Sequence, residues 1–185
     1  VYAAQGWAAP RLISAPGLDL FPLRNARVPG RIGRASAVEI IKQLYPITPD
    51  PRGARRKLFI RRENVQYRRL LNQDEIEALL IKDGFQAVNP ARLSFAEQAA
   101  LFAEASVIVG AHGAALTNAL FAPPGCLLIE LWTGRKQPHY ADIAALKQLR
   151  YRAIEGTGIP GTHERPQHHD FRVAIDEIKR AVAVL

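Results

Sequence analysis

The chain has 185 residues, 48% of them apolar, and a formal net charge of +8 from 25 Lys+Arg against 17 Asp+Glu. That length supports one domain with a real core, and the charge favours an anionic partner: a nucleotide, a phosphorylated substrate, nucleic acid or a membrane surface. The lone cysteine excludes an internal disulfide, and no apolar run approaches the roughly 18 residues of a membrane span.

The first residues lack the charged-then-apolar layout of a signal peptide. The chain starts at Val1 and contains no methionine, which fits a fragment or a processed chain. Residues 1–34 are rich in Pro, Gly and Arg and read as an extended segment, the tail of an upstream domain. The domain proper is expected over residues 35–185. "SAVEIIKQLYP" predicts a helix that Ser36 caps, with Val38, Ile41 and Tyr45 on one face and Pro46 as its stop.

From Lys57 the pattern becomes regular. "KLFIRR" predicts a strand. "NQDEIEALLIKDG" predicts a helix with Asn72 as N-cap, acids in the first turn and Gly84 at its end. "FQAVN" is a strand, and "SFAEQAALFAEAS" a helix opened by a capping box from Ser94 to Glu97. "VIVGA" is a strand, "GAALTNALFAP" a helix stopped by prolines, and "CLLIELW" a strand. "HYADIAALKQL" is a helix, "YRAIEG" a strand, and "DFRVAIDEIKRAVAVL" the last helix. Strands apolar on both faces require helices on both sides. The expected fold is α/β: a Rossmann-like parallel sheet of about five strands with helices on both faces.

Ligands of such sheets bind at the carboxyl ends of the strands, and three strand ends carry unusual chemistry. At the first, Arg61 and Arg62 close a strand, and Arg68 and Arg69 follow in the loop. One guanidinium at a strand end can hold a phosphate with two parallel hydrogen bonds; any single arginine here also fits a solvated basic loop. At the second, Gly110 and Gly113 flank His112, and Ala114 and Ala115 keep the approach clear. A helix beginning there would turn free N–H groups on an anion, and His112 could donate to a phosphate oxygen. The bland alternative is a histidine that merely satisfies local backbone. At the third, Glu130 could accept both hydroxyls of a ribose or could pair with an arginine such as Arg61 or Arg135; chemistry alone leaves both readings open.

Neither GxGxxG nor a P-loop occurs. "HHD" (His168, His169, Asp170) has metal-ligand residue types, but adjacent histidines diverge, and a helix start capped by Asp170 fits better. Cys126 reads as a buried small apolar residue. No DxD pair, catalytic triad or cysteine–histidine dyad can be argued, and the arginines are not interleaved with aromatics as in a nucleic-acid surface.

"FIRRENVQYRRLLNQDEI", "GFQAV" and "LSFAEQAALFAEASVIVGAHGAALTNALFAPPGCLLIEL", in that order, resemble the family 61 glycosyltransferases over roughly residues 55–135. The family pattern usually has Asn-Glu where this chain has Asn72-Gln73. The family was earlier linked to bacterial capsular polysaccharide biosynthesis. The resemblance implies the C-terminal, donor-binding half of a GT-B enzyme, with an upstream acceptor-binding domain. It implies inverting, metal-independent transfer from a nucleotide-sugar, such as a UDP-sugar, to a glycan or other hydroxyl acceptor. Neither a cofactor nor a nucleic-acid partner is expected. Arg62, His112, Gly113 and Ala114 would meet the diphosphate and Glu130 the ribose, with Arg61 and Asn118 in support. His112 is also a candidate catalytic base; Asp19 is another carboxylate with no argument for its placement. The alternative is a non-catalytic Rossmann-like module for nucleotides or polyanions. The expected location is the cytoplasm, with peripheral contact at the inner face of the membrane.

Overall fold

The computed structural model describes residues 53, 55–134 and 137–183. The chain divides into two units, Val1–Pro46 and Ile47–Leu185, and the described residues belong to the second. The extended segment expected at 1–34, the helix expected at 36–46, Asp19 and Arg135 lie outside the described residues.

Five strands form one sheet: β1 (Arg56–Ile60), β2 (Phe85–Val88), β3 (Ala105–Ala111), β4 (Leu127–Trp132) and β5 (Arg150–Glu155). Their spatial order is β2-β1-β3-β4-β5, and every neighbouring pair is parallel. The fold is therefore the expected α/β parallel sheet. All five carboxyl ends lie along one edge, with Ile60, Val88, Ala111, Trp132 and Glu155 as the last strand residues.

Side chains alternate across the pleat. Phe59, Val107, Val109 and Ile129 enter a core shared with Ile76 and Leu80 of α1 (Gln73–Lys82) and Ile178 and Ala181 of α4 (Ile175–Val182). Leu58, Ile60, Ile108 and Leu128 enter the opposite core, with Phe102 of α2 (Phe95–Ala103) and Tyr140 and Ala144 of α3 (His139–Lys147). The Ser94–Glu97 capping box opens α2 as its spacing predicts. Gly84 follows the end of α1 with φ +81°, a left-handed position that glycine adopts without strain.

Three local expectations change. "AALTNALF" is a 3₁₀ helix over Ala114–Phe121 rather than an α-helix. Leu116, Ala119 and Ala122 are fully buried, and a buried stripe repeating every third residue suits three residues per turn. Asn72 precedes α1 but makes no cap bond. Its amide donates to Val173 O (2.8 Å) and its carbonyl accepts from Val173 N (3.2 Å), so both halves of the side chain are used on one backbone residue.

The last stretch starts as a strand, not a helix. β6 (Thr157–Gly158) pairs antiparallel with β7 (Phe171–Arg172), because Phe171 and Val173 are buried and Arg172 between them is exposed. Asp170 therefore caps nothing. It is buried, accepts from Arg69 N (2.8 Å) and Arg69 Nε (2.7 Å), and ties the loop after β1 to the ribbon. Burial raises the Asp170 carboxyl, but its bonds to Arg69 outweigh that and hold it below its ordinary value. A depressed carboxyl contributes stability that is complete above its unfolded value, near pH 4, and lost as the pH falls through its folded value. Asp170→Ala should lower unfolding free energy by about 2–3 kcal/mol at neutral pH. The loss relative to wild type should shrink in acid denaturation series below about pH 4.

Candidate functional site

The order β2-β1-β3-β4-β5 places a switch between β1 and β3, where successive connections leave in opposite directions and open a crevice at the carboxyl ends. Arg62 and His112 follow those two strands. Arg62 Nη1 donates to His112 O (2.9 Å) and Arg68 O (3.3 Å). Burial and then the charge of Arg68 lower the Arg62 guanidinium below its ordinary value. No salt bridge links either arginine to a carboxylate among the described residues. Arg62 thus sits beneath the His112 turn and is not among the side chains that line the cleft described below.

Gly113 is extended, at φ 170°, so the need for glycine here is spatial. A Cβ would lie 3.0 Å from the Arg62 guanidinium carbon. Its carbonyl accepts from Tyr140 OH (2.5 Å) and from Leu116 N (2.9 Å). The amides of Gly113 and Ala114 precede that first 3₁₀ bond, which leaves them at the open end of the turn.

A cleft of about 380 Å³ opens beside this turn. Its wall includes Arg68 from the loop after β1, His112 after β3, Trp132 at the end of β4, His139 at the start of α3, and Gln167 and His168 from the loop before β7. One arginine and three histidines line it, and no carboxylate does among the described residues. Two of its nitrogens, Arg68 Nε and His168 Nδ1, are buried and lack any hydrogen-bond partner. Arg68 has φ +56°, a left-handed conformation that costs a non-glycine residue about 1 kcal/mol. The His168 ring stacks on Tyr67 with centroids 4.4 Å apart. Burial, then the neighbouring His163 and Arg68, lower the His168 imidazole below its ordinary value.

Glu130 lies inside the sheet. Its side chain is fully buried, and its two oxygens meet His112 Nδ1 and Tyr151 OH. It is closed to a ribose in this structure, and it does not pair with Arg61. Arg61 instead engages Glu77, with Asp74 at 3.1 Å. Asn118 also faces away: its amide donates to Gln98 Oε1 (2.7 Å). Cys126 is buried, and burial pushes its thiol up to about 12. His112 and Gly113 are brought together at the turn with Ala114, while Arg68, His139 and His168 are cleft residues the sequence did not single out as ligands. Their signal was weak: Arg68 was one of four arginines, and His168 stood 100 residues away from it. No group of three His, Cys, Asp or Glu residues suited to a metal occurs among the described residues. Nor is any helix there long and apolar enough to cross a membrane.

The comparisons agree on one family. The model of the family described as Glycosyltransferase 61 matches residues 11–129. Similar proteins include an EGF domain-specific O-linked N-acetylglucosamine transferase of Drosophila melanogaster, 38% identical over 49% of this chain and 18% of the relative. The Mus musculus protein of the same name is 28% identical over 64% of this chain and 23% of its own length. A beta-1,2-xylosyltransferase of Oryza sativa subsp. japonica is 38% identical over 40% of this chain and 14% of the relative. The chain thus spans under a quarter of each of these relatives. They come from animals and a plant and lend no support to the bacterial capsule link.

Close packing at the turn is open to a direct check. A Cβ on Gly110 would lie 2.9 Å from Leu116 Cδ2 and 3.0 Å from Ile60 Cβ. Gly110→Ala should force the 3₁₀ helix off the sheet and cost about 1–3 kcal/mol, read as a lower Tm with shifted amide resonances from His112 to Leu116.

Proposed function

Because the chain belongs to the glycosyltransferase 61 family, we propose that its described domain is the donor-binding half of a glycosyltransferase using a nucleotide-sugar. The names of the relatives concern transfer of N-acetylglucosamine and xylose, and an acceptor hydroxyl on a glycan or protein is consistent with both. In the GT-B arrangement that the reading adopts, the acceptor lies across a cleft formed with a second domain.

One observation carries the reading: a cleft at the sheet's carboxyl edge that holds two buried, unpartnered nitrogens, on Arg68 and His168, and no carboxylate among the described residues. Buried donors without partners are costly, and an oxyanion would satisfy them. The volume of about 380 Å³ falls within the range of small-ligand pockets. When the bond between the sugar and the diphosphate breaks, its electron pair stays on the phosphate oxygen. Fixed positive groups aimed at that oxygen stabilise the developing charge. Arg68 and His112 take this role directly, the Gly113 and Ala114 amides add donors, and Arg62 adds charge from beneath the turn. The reading is inverting transfer with the diphosphate held by protein cations rather than through a metal.

Arg68→Gly separates binding from folding. Glycine relieves the left-handed strain while removing the guanidinium. Calorimetry should show UDP affinity falling by about 1.5–3 kcal/mol, uridine affinity unchanged, and Tm equal to or above wild type. Equal losses for UDP and uridine would remove Arg68 from the phosphate site. Treatment with EDTA should leave UDP affinity unchanged; a loss restored by Mg²⁺ would contradict metal-free binding.

A further inference from the structure

Glu130 is a carboxylate that lines neither the cleft nor the surface. It lies in β4 between Gly110 of β3 and Ala153 of β5, with 0% exposure. An ionised group so placed is costly unless fully paired, and its neighbours Leu128 and Ile129 show that apolar residues fill this strand readily. Both of its oxygens are engaged: Tyr151 OH donates to one and His112 Nδ1 meets the other. Burial, and then Glu130 itself, push the Tyr151 phenol well above its ordinary range, so it remains a donor at neutral pH. The second oxygen is therefore left to His112 alone. A neutral imidazole has one N–H; with that proton on Nδ1, Nε2 is the nitrogen left for the cleft that His112 lines.

We propose that Tyr151, Glu130 and His112 form a relay in which the buried carboxylate is a positioning residue for the anion cleft. Glu130 fixes the imidazole with Nδ1–H inward and Nε2 toward the cleft. Its charge balances an imidazolium whose Nε2–H donates to a phosphate oxygen of the bound diphosphate. The relay rests on the function proposed above. His139 and Tyr140 of α3 face the same ring, with centroids 6.4 and 5.1 Å away. Arg62 holds the His112 carbonyl, and Arg68 and His168 stand on the cleft wall. Glu130 is the one acid in this set, so the negative charge that can balance an imidazolium comes from it. Tyr140 is fixed elsewhere, by donation to Gly113 O, which leaves the orientation of the ring to Glu130.

Nitrogen-15 imidazole spectra of the 185-residue chain, with His112 assigned through His112→Ala, test this without altering the core. The expected result is a protonated Nδ1 in the free chain. UDP should move Nε2 toward the protonated imidazolium position, and uridine should not. Glu130→Gln keeps the shape and removes the charge; it should weaken UDP binding about tenfold or more, close to 1.4 kcal/mol, with uridine affinity unchanged. A bare Nδ1 in the free chain overturns the relay even if the variant fails to fold. A folded Glu130→Gln protein that binds UDP as wild type does also overturns it. If wild type ignores UDP altogether, the donor-binding function fails, and the Nδ1 state of the free chain still decides the relay.

Discussion

Glu130 is removed from water in the sheet beside β3, and a carboxylate there has to find donors. That requirement organises the carboxyl edge of the domain. Tyr151 from β5 and His112 from the end of β3 converge on it. His112 in turn can reach it because His112 N extends the ladder by donating to Leu131 O (2.7 Å). The turn that follows is held from three sides, by Arg62 on the His112 carbonyl, Tyr140 on the Gly113 carbonyl and Leu116 packed over Gly110. A buried carboxylate, even one with partners, is poor evidence for stability in itself. Its value here is geometric, since it fixes one imidazole at the mouth of a cleft.

The electrostatics of that cleft follow from where the acids went. Arg61 is absorbed by Glu77 and Asp74, Arg69 by Asp170, and Arg92 by Glu63. Arg62 and Arg68 have no such partner among the described residues, and Arg62 Nη1 bonds both the Arg68 carbonyl and the His112 carbonyl, which brings the two residues together at this turn. Two unneutralised guanidinium groups near each other raise the local potential, and the low-dielectric surroundings of Arg62 screen it little. The left-handed backbone at Arg68 is a local cost kept at a place where its side chain meets the cleft. The donor-binding proposal accounts for all three features with one ligand class, a diphosphate.

Much of the fold was legible because its signals are local. The unbroken apolar runs "LFI" and "VIVGA", buried on both faces of the sheet, and the Ser94–Glu97 spacing each depend on residues within a few positions. The 3₁₀ helix was also written locally, in the period-three stripe Leu116, Ala119 and Ala122, but the alanine content argues for α-helix and hides it. The site was less legible. His112 and Gly113 stand out because glycines flank the histidine after an apolar run. The partner of Glu130 is set by pairing of β3 with β4, and that of Asp170 by a contact spanning 101 residues. A list of residue types gives no way to choose among four arginines in one loop. Only the folded arrangement separates Arg62 beneath the turn from Arg68 on the cleft.

The central claim is that a nucleoside diphosphate sits at the carboxyl edge of β3 with its phosphates on Arg68 and His112. A crystal structure of the chain with UDP tests this most directly. The account predicts phosphate oxygens within hydrogen-bonding distance of Arg68 Nε and His112 Nε2, with Glu130 still closed behind His112. Phosphates bound elsewhere, for instance at Arg61 and Arg92 with the cleft empty, would contradict it.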